Sequence, residues 1–160
     1  MAIQVGDKFP DIKLQIATQD GIASATTGEL LAGKKVVLFG VPGAFTPTCS
    51  AKHLPGFIDR AAEIRSKGVD SILCLSVNDA FVMDAWAKDR GAGDKVVMLA
   101  DGSAQLTQAL GLEMDGSKFG MGQRCQRFAV VLDDGIVTAL HVEEPMKFEV
   151  SSAEAILAAL

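Results

Sequence analysis

The chain has 160 residues, 49% hydrophobic and 22% charged, enough for one domain with a substantial core. Its net charge of −5 argues against nucleic acid or an anionic membrane as a partner. No apolar run approaches the roughly 18 residues of a membrane span; the longest, Val36 to Phe45, is interrupted by Gly40, Pro42 and Gly43.

The N-terminal Met1-Ala-Ile-Gln-Val lacks the basic and apolar regions of a secretory signal and the arginines of a transit peptide. The expected location is the cytoplasm. Cysteines at 49, 74 and 125 are too few and too irregular for a disulfide framework or a zinc site. The question becomes which of them reacts.

Apolar strand-type runs alternate with amphipathic helical segments, without linker or repeat, so residues 1–160 are expected to form one domain. Ile12 to Ala17 alternates as a strand, and Val36 to Val41 is a continuous apolar strand of the buried kind. A helix is expected from about Pro47 to Arg65, with Leu54, Phe57, Ile58, Ala61 and Ile64 on one buried face and Gly68 after its end. Ser71 to Val77 reads as a second central strand. Asn78 or Asp79 can cap a helix through Arg90, with Phe81, Ala85 and Trp86 sharing a face and Gly91 stopping it.

Lys95 to Ala100 is a third strand, and Ser103 to Leu110 a short helix closed by Gly111. A glycine-rich loop spans Met114 to Gly122. Arg127 to Leu132 and Ile136 to Val142 flank Asp133-Asp134-Gly135, a strong hairpin signal. Ser151 with Glu154 forms a capping-box pattern before Ile156, Leu157 and Leu160. A β-α-β-α-β series finishing in β-β-α is an α/β sandwich, a mixed sheet between helices. The thioredoxin-like arrangement has that order.

The segment that carries chemistry is Gly40-Val-Pro42-Gly-Ala-Phe-Thr46-Pro47-Thr48-Cys49-Ser50. It lies where a buried strand hands over to a helix, at the strand end where α/β folds place ligands. Thr46 and Pro47 make a good N-cap and first-turn pair, which puts Cys49 where free backbone N–H groups favour a thiolate. Ionisation alone is a modest device. A thiol of pKa about 8.5 is roughly 3% ionised at pH 7, and full ionisation gains about 30-fold, or about 2 kcal/mol. A lower pKa also weakens the nucleophile. Fast attack on an O–O bond therefore needs donors that hold the leaving oxygen as charge develops on it: a threonine hydroxyl, a backbone N–H, an arginine.

The spacing Pro42-x-x-x-Thr46-x-x-Cys49 resembles the active-site signature of the peroxiredoxins. The longer string through His53-Leu-Pro-Gly-Phe57, Leu75 to Val82 with Trp86 beyond, and Gly122 through Arg127-Phe128 are similar to the type II, peroxiredoxin-5-like branch. Phe148 to Leu157 resembles its plant and bacterial members, and the resemblance covers nearly the whole chain. It implies a thioredoxin-like mixed sheet flanked by helices, with an N-terminal β extension. It also implies a thiol-dependent peroxidase acting on hydrogen peroxide and alkyl hydroperoxides, with no metal, flavin or haem. By the same resemblance Cys49 is the peroxidatic cysteine and becomes a sulfenic acid, Thr46 hydrogen-bonds the peroxide, Pro42 shields the pocket, and Arg127 stabilises the thiolate and polarises the peroxide.

Each residue also has a plainer reading. A cysteine in an α/β protein is commonly a small core hydrophobe. Pro42 and Thr46 alone would be a turn and a cap, and Arg127 alone a strand charge readily confused with Arg124. Cys74 shares a strand face with Ile72 and Ser76, as a core thiol would; in plant-type members a cysteine at the matching place is a possible resolving partner. It could reach Cys49 only after local unfolding, because a disulfide needs Cα atoms within about 7 Å. The C-terminal resolving cysteine of animal relatives is absent, with Val150 and Ser151 in that region. Cys125 has no matching role. His53, one turn after Cys49, could imitate a Cys–His hydrolase pair, but no orienting Asn or Asp motif accompanies it.

The expected recycling partner is glutathione or glutaredoxin, with thioredoxin and Cys74 as the alternative. A thioredoxin-like disulfide reductase would need Cys-x-x-Cys, and Thr46 occupies the first position. A non-enzymatic redox sensor or relay would share the Cys49 chemistry and pass oxidation to a partner. Relatives of this branch form dimers, so a homodimer is expected, with Phe45 and the Phe119–Met121 loop as candidate contacts.

Overall fold

The computed structural model describes residues 2–160. A seven-stranded sheet has the order β2-β1-β5-β4-β3-β8-β9. Its centre is three parallel strands, β3 (Lys35–Gly40), β4 (Ser71–Ser76) and β5 (Val97–Ala100). Antiparallel strands extend both sides: β1 (Lys13–Thr18) and β2 (Gly21–Thr26) beyond β5, and β8 (Phe128–Asp133) and β9 (Ile136–Val142) beyond β3.

Both faces of the central strands are covered, which is why β3 and β4 read as continuous apolar runs. Val37, Phe39, Ile72 and Cys74 face a core completed by Leu54, Phe57, Ile64, Met83, Trp86 and Ile156. Val36, Leu38, Leu73 and Leu75 face the other, with Leu31, Leu106 and Leu110. The helices on these faces are α1 (Thr27–Leu31), α2 (Leu54–Asp59), α3 (Ala61–Ser66), α4 (Ala80–Arg90), α5 (Gln105–Leu110) and α6 (Ala153–Ala159).

Several boundaries depart from the sequence reading. The single helix expected over 47–65 is three pieces: a π-turn over Cys49–His53, then α2, then α3 after a break at Arg60, whose φ of −102° and ψ of 11° leave the helical range. Asp79 caps α4 by accepting from the Val82 N–H; Asn78 instead accepts from the Ala44 N–H and Ser76 Oγ. The buried face of α4 is Ala80, Met83 and Trp86, and Phe81 points to solvent at 78% exposure. Ala85 is exposed as well, so the expected face of Phe81, Ala85 and Trp86 does not form; burial runs instead from Trp86 towards Met83 and Ala80, away from Phe81.

The stretch Met114 to Gly122 is not a bare loop. Its start and the residues after it pair as β6 (Glu113–Asp115) and β7 (Gln123–Cys125), with a short 3-10 turn at Ser117–Phe119 between them. The C-terminal helix is capped one residue later than the capping-box pattern indicated: Ser152 Oγ accepts from the Ala155 N–H, which frees Ser151 for another contact. The β8–β9 hairpin is as expected, with positive φ at Asp134 and Gly135, the pair a type I′ turn requires.

One glycine fixes the approach of two strands at the end of β3. A Cβ on Gly40 would lie 2.1 Å from the Phe128 ring of β8, the residue directly opposite it in register. Only hydrogen fits there, and Phe128 can close over the strand end where the following loop begins.

Candidate active site

Immediately after β3 the chain turns sharply at Pro42 to Thr46. Phe45 sits at the left-handed φ of 64°, a conformation that costs a non-glycine residue about 1 kcal/mol or more and concentrates at functional sites. Three side chains hold the turn in place: Thr46 Oγ1 donates to the Gly43 carbonyl at 2.6 Å, Asn78 Oδ1 accepts from the Ala44 N–H, and Arg124 Nη1 donates to the carbonyls of Pro42 and Val77. Thr46 caps the helix with its backbone, its carbonyl accepting from the Ser50 N–H at 2.9 Å. The expected side-chain cap is not made, since the hydroxyl turns into the Gly43–Thr46 bend. Thr46 lines the same cleft as Pro42 and Arg127.

Pro47 and Thr48 are helical, and Cys49 opens the π-turn. Trp86 Nε1–H donates to Ser50 Oγ at 2.9 Å within the core, which ties this wide turn to α4. Cys49 is fully buried and unpaired. Arg127, one residue before β8, extends from the opposite side so that Nη2 donates to Cys49 Sγ at 3.2 Å. Arg127, the arginine that the resemblance indicated, meets the thiol, and its near neighbour Arg124 staples the turn.

His53 explains how Arg127 is held. Its Nδ1 lies 2.9 Å from Arg127 Nη1, and its Nε2 lies 2.9 Å from the Ser151 carbonyl oxygen. A guanidinium only donates and a carbonyl only accepts, so Nδ1 is the acceptor and Nε2 carries the proton. Burial, and secondarily the charge on Arg127, pushes the imidazole pKa down to about 3, against the opposing pull of the Ser151 carbonyl. His53 is a neutral bridge with both nitrogens occupied. It has no free nitrogen for Cys49, which excludes the Cys–His hydrolase arrangement. The Phe148 ring lies 4.9 Å from the imidazole and 5.7 Å from Arg127 Cζ, closing the outer side.

Above this group is a cleft of about 700 Å³ whose lining includes Pro42, Thr46, Arg127, Met121 and Phe119. The other cysteines lie away from it. Cys74, in the middle of β4, is fully buried, and burial followed by the neighbouring Cys49 raises its thiol pKa well above the ordinary value. Cys125, at the end of β7, is likewise buried, with its pKa raised chiefly by burial. Sequence reasoning missed the supporting set of His53, Glu143 and Phe148. The four-residue spacing of His53 from Cys49 was a signal, but it was legible only as a catalytic base, because its partners come from distant parts of the chain.

The Redoxin family profile matches residues 4–157. Peroxiredoxin-2B of Arabidopsis thaliana is 54% identical over 159 residues, covering 99% of this chain and 98% of that one. The chain is a peroxiredoxin of the redoxin family. Another relative, chloroplastic Peroxiredoxin-2E of the same plant, is 52% identical over 164 residues, with 99% of this chain and 70% of the relative covered. Among solved structures, reduced Prx3 of Vibrio vulnificus in complex with hydrogen peroxide superposes with a TM-score of 0.93 at 55% identity, covering 98% of both chains. The sheet and its flanking helices are accordingly the thioredoxin-like fold, and this peroxiredoxin is a thiol-dependent peroxidase.

Proposed function

We propose that Cys49 is the thiolate of this peroxiredoxin that attacks the peroxide, with Thr46, Arg127 and Pro42 forming its pocket. The observation that carries the assignment is the 3.2 Å contact from Arg127 Nη2 to Cys49 Sγ beneath a cleft whose lining includes Thr46 and Pro42. The sulfur lone pair forms an S–O bond to the near peroxide oxygen, and the O–O bond breaks. The far oxygen takes a proton and leaves as water or an alcohol, while Cys49 becomes a sulfenic acid. Arg127 donates both to the thiolate and to the developing oxyanion, and the Thr46 oxygen accepts from the peroxide O–H; both contacts strengthen as charge moves. Pro42 keeps water off the pocket. Hydrogen peroxide and small alkyl hydroperoxides fit the cleft, where Phe119 and Met121 offer apolar surface to an alkyl group.

Glutathione or glutaredoxin is the proposed reductant of the sulfenic acid. Val150 and Ser151 stand where animal relatives carry a resolving cysteine, and Cys74 is a core thiol of raised pKa. The alternative, thioredoxin acting on a Cys49–Cys74 disulfide, requires β4 and the π-turn to open. A redox relay that hands oxidation to a protein partner would use the same first step. A homodimer in the cytoplasm completes the reading, and the exposed rings of Phe45 and Phe119 support a partner face near the cleft.

Loss of peroxide consumption in Cys49→Ser is the expected outcome, and retained turnover overturns the assignment. For the reductant, mass spectrometry after one equivalent of peroxide separates a Cys49–glutathione adduct from an internal disulfide. Unchanged turnover of Cys74→Ser with glutaredoxin excludes an obligatory Cys49–Cys74 bond. Sustained turnover with a low-molecular-weight thiol, rather than a single oxidation, excludes a pure relay.

A further inference from the structure

Glu143 follows β9 and is nearly inaccessible, at 6% exposure. One of its carboxylate oxygens, Oε2, accepts four hydrogen bonds: from the N–H groups of Glu149, Val150 and Ser151 at 2.7, 2.9 and 2.9 Å, and from Ser151 Oγ at 2.7 Å. Burial disfavours the charged carboxylate, but these donors outweigh it and hold the pKa below the ordinary value. Three consecutive N–H groups converging on one oxygen curl residues 149–151 into a concave strap, a backbone conformation that an anion stabilises. His141 Nδ1 adds a bond to the Val150 carbonyl at 2.8 Å.

The strap leads directly to the thiol. Curling it aims the Ser151 carbonyl at His53 Nε2, and the other nitrogen of His53 receives Arg127. Phe148, at the start of the strap, covers both His53 and Arg127. Glu143 also grips Arg127 from its backbone, its N–H donating to the Arg127 carbonyl at 2.9 Å. One residue therefore controls both ends of the arginine: the main chain directly and the guanidinium through the strap and the imidazole.

We propose that Glu143 is a positioning residue for peroxide reduction, holding the Phe148–Ser151 strap so that His53 aims Arg127 at Cys49. The proposal rests on the assignment of Cys49 and Arg127 above. Donors to a developing oxyanion act only when placed to a fraction of an ångström, and misplacement of about 1 Å costs on the order of 10²-fold in rate. Alkylation of the thiolate by iodoacetamide needs no such donor, which separates aim from general loosening.

The experiment measures two rate constants at Cys49 for the wild-type chain, Glu143→Ala and Glu143→Gln: with hydrogen peroxide, and with iodoacetamide at matched thiolate content followed by ultraviolet absorbance. In Glu143→Ala the peroxide rate should fall about 10- to 100-fold while alkylation stays within about threefold. Glutamine keeps an oxygen acceptor and should recover part of the peroxide rate. A Glu143→Ala peroxide rate within about threefold of wild type overturns the proposal, as does an equal fall in both reactions. Should Glu143→Ala not fold, Glu143→Gln carries the test: a peroxide rate lowered more than about threefold with alkylation unchanged is expected, and an equal change in both reactions or none in either overturns the proposal. Peroxide consumption lost in Cys49→Ser but indifferent to Glu143 defeats the strap alone; consumption that survives Cys49→Ser defeats the site assignment beneath it.

Discussion

Lowering the pH should destabilise this protein well before its carboxylates protonate, and His53 is the cause. In the folded chain its pKa is lowered from 6.5 to about 3, first by burial and then by the charge on Arg127. Unfolding returns the imidazole to water and its ordinary pKa, so between these values the unfolded chain binds a proton that the folded chain refuses. Stability is therefore complete above about pH 6.5 and declines as the pH falls, by about 1.4 kcal/mol per pH unit. The whole span is worth on the order of 5 kcal/mol, of which about 3 kcal/mol is lost by pH 4. That is a large share of the about 5–15 kcal/mol by which a domain of this size is stable. The assay is urea unfolding at several pH values from about 7 to about 4, on the wild-type chain and His53→Gln. Glutamine can accept from Arg127 and donate to the Ser151 carbonyl but does not titrate, so the carboxylate background is shared and only the imidazole differs. The variant loses the ring's contacts with Phe39, Phe57 and Phe148 and is expected to be less stable than wild type at neutral pH; the slope is the readout. Equal slopes in the two proteins over this range would refute the reasoning.

Arg127→Lys keeps the charge but not the fork that spans Cys49 and His53. Its second-order rate with peroxide, read by stopped flow, should fall about 10²- to 10³-fold. Gly40→Ala forces a methyl into the Phe128 ring and should lower stability by about 1–3 kcal/mol or more in denaturant unfolding; a neutral substitution would mean that Phe128 moves freely. Trp86→Phe leaves Ser50 Oγ without its buried donor and should cost about 1–3 kcal/mol, read as a lower midpoint in the same titration.

The sequence by itself determined the chemistry and the order of elements. Pro42, Thr46 and Cys49 lie within eight consecutive residues, so their spacing was readable without knowing where the chain goes next. The central strands were readable too, because burial on both faces writes an unbroken apolar run. The hairpin was readable because Asp134-Gly135 is a local backbone requirement. Tertiary structure decided what spacing cannot encode. Arg127 and Arg124 differ by three positions; the resemblance pointed to Arg127, but spacing by itself did not separate them, and the packed loops show Arg127 meeting the thiol. His53 read as a base because its neighbour in sequence is Cys49, yet its partners in space are Arg127 and Ser151, 74 and 98 residues away. Glu143 carried no motif, and the strap had a resemblance without a role, since four donors converge on one oxygen only after the chain has folded. The nucleophile is a local property of the sequence, whereas the aim of the arginine that serves it depends on contacts the fold alone brings together.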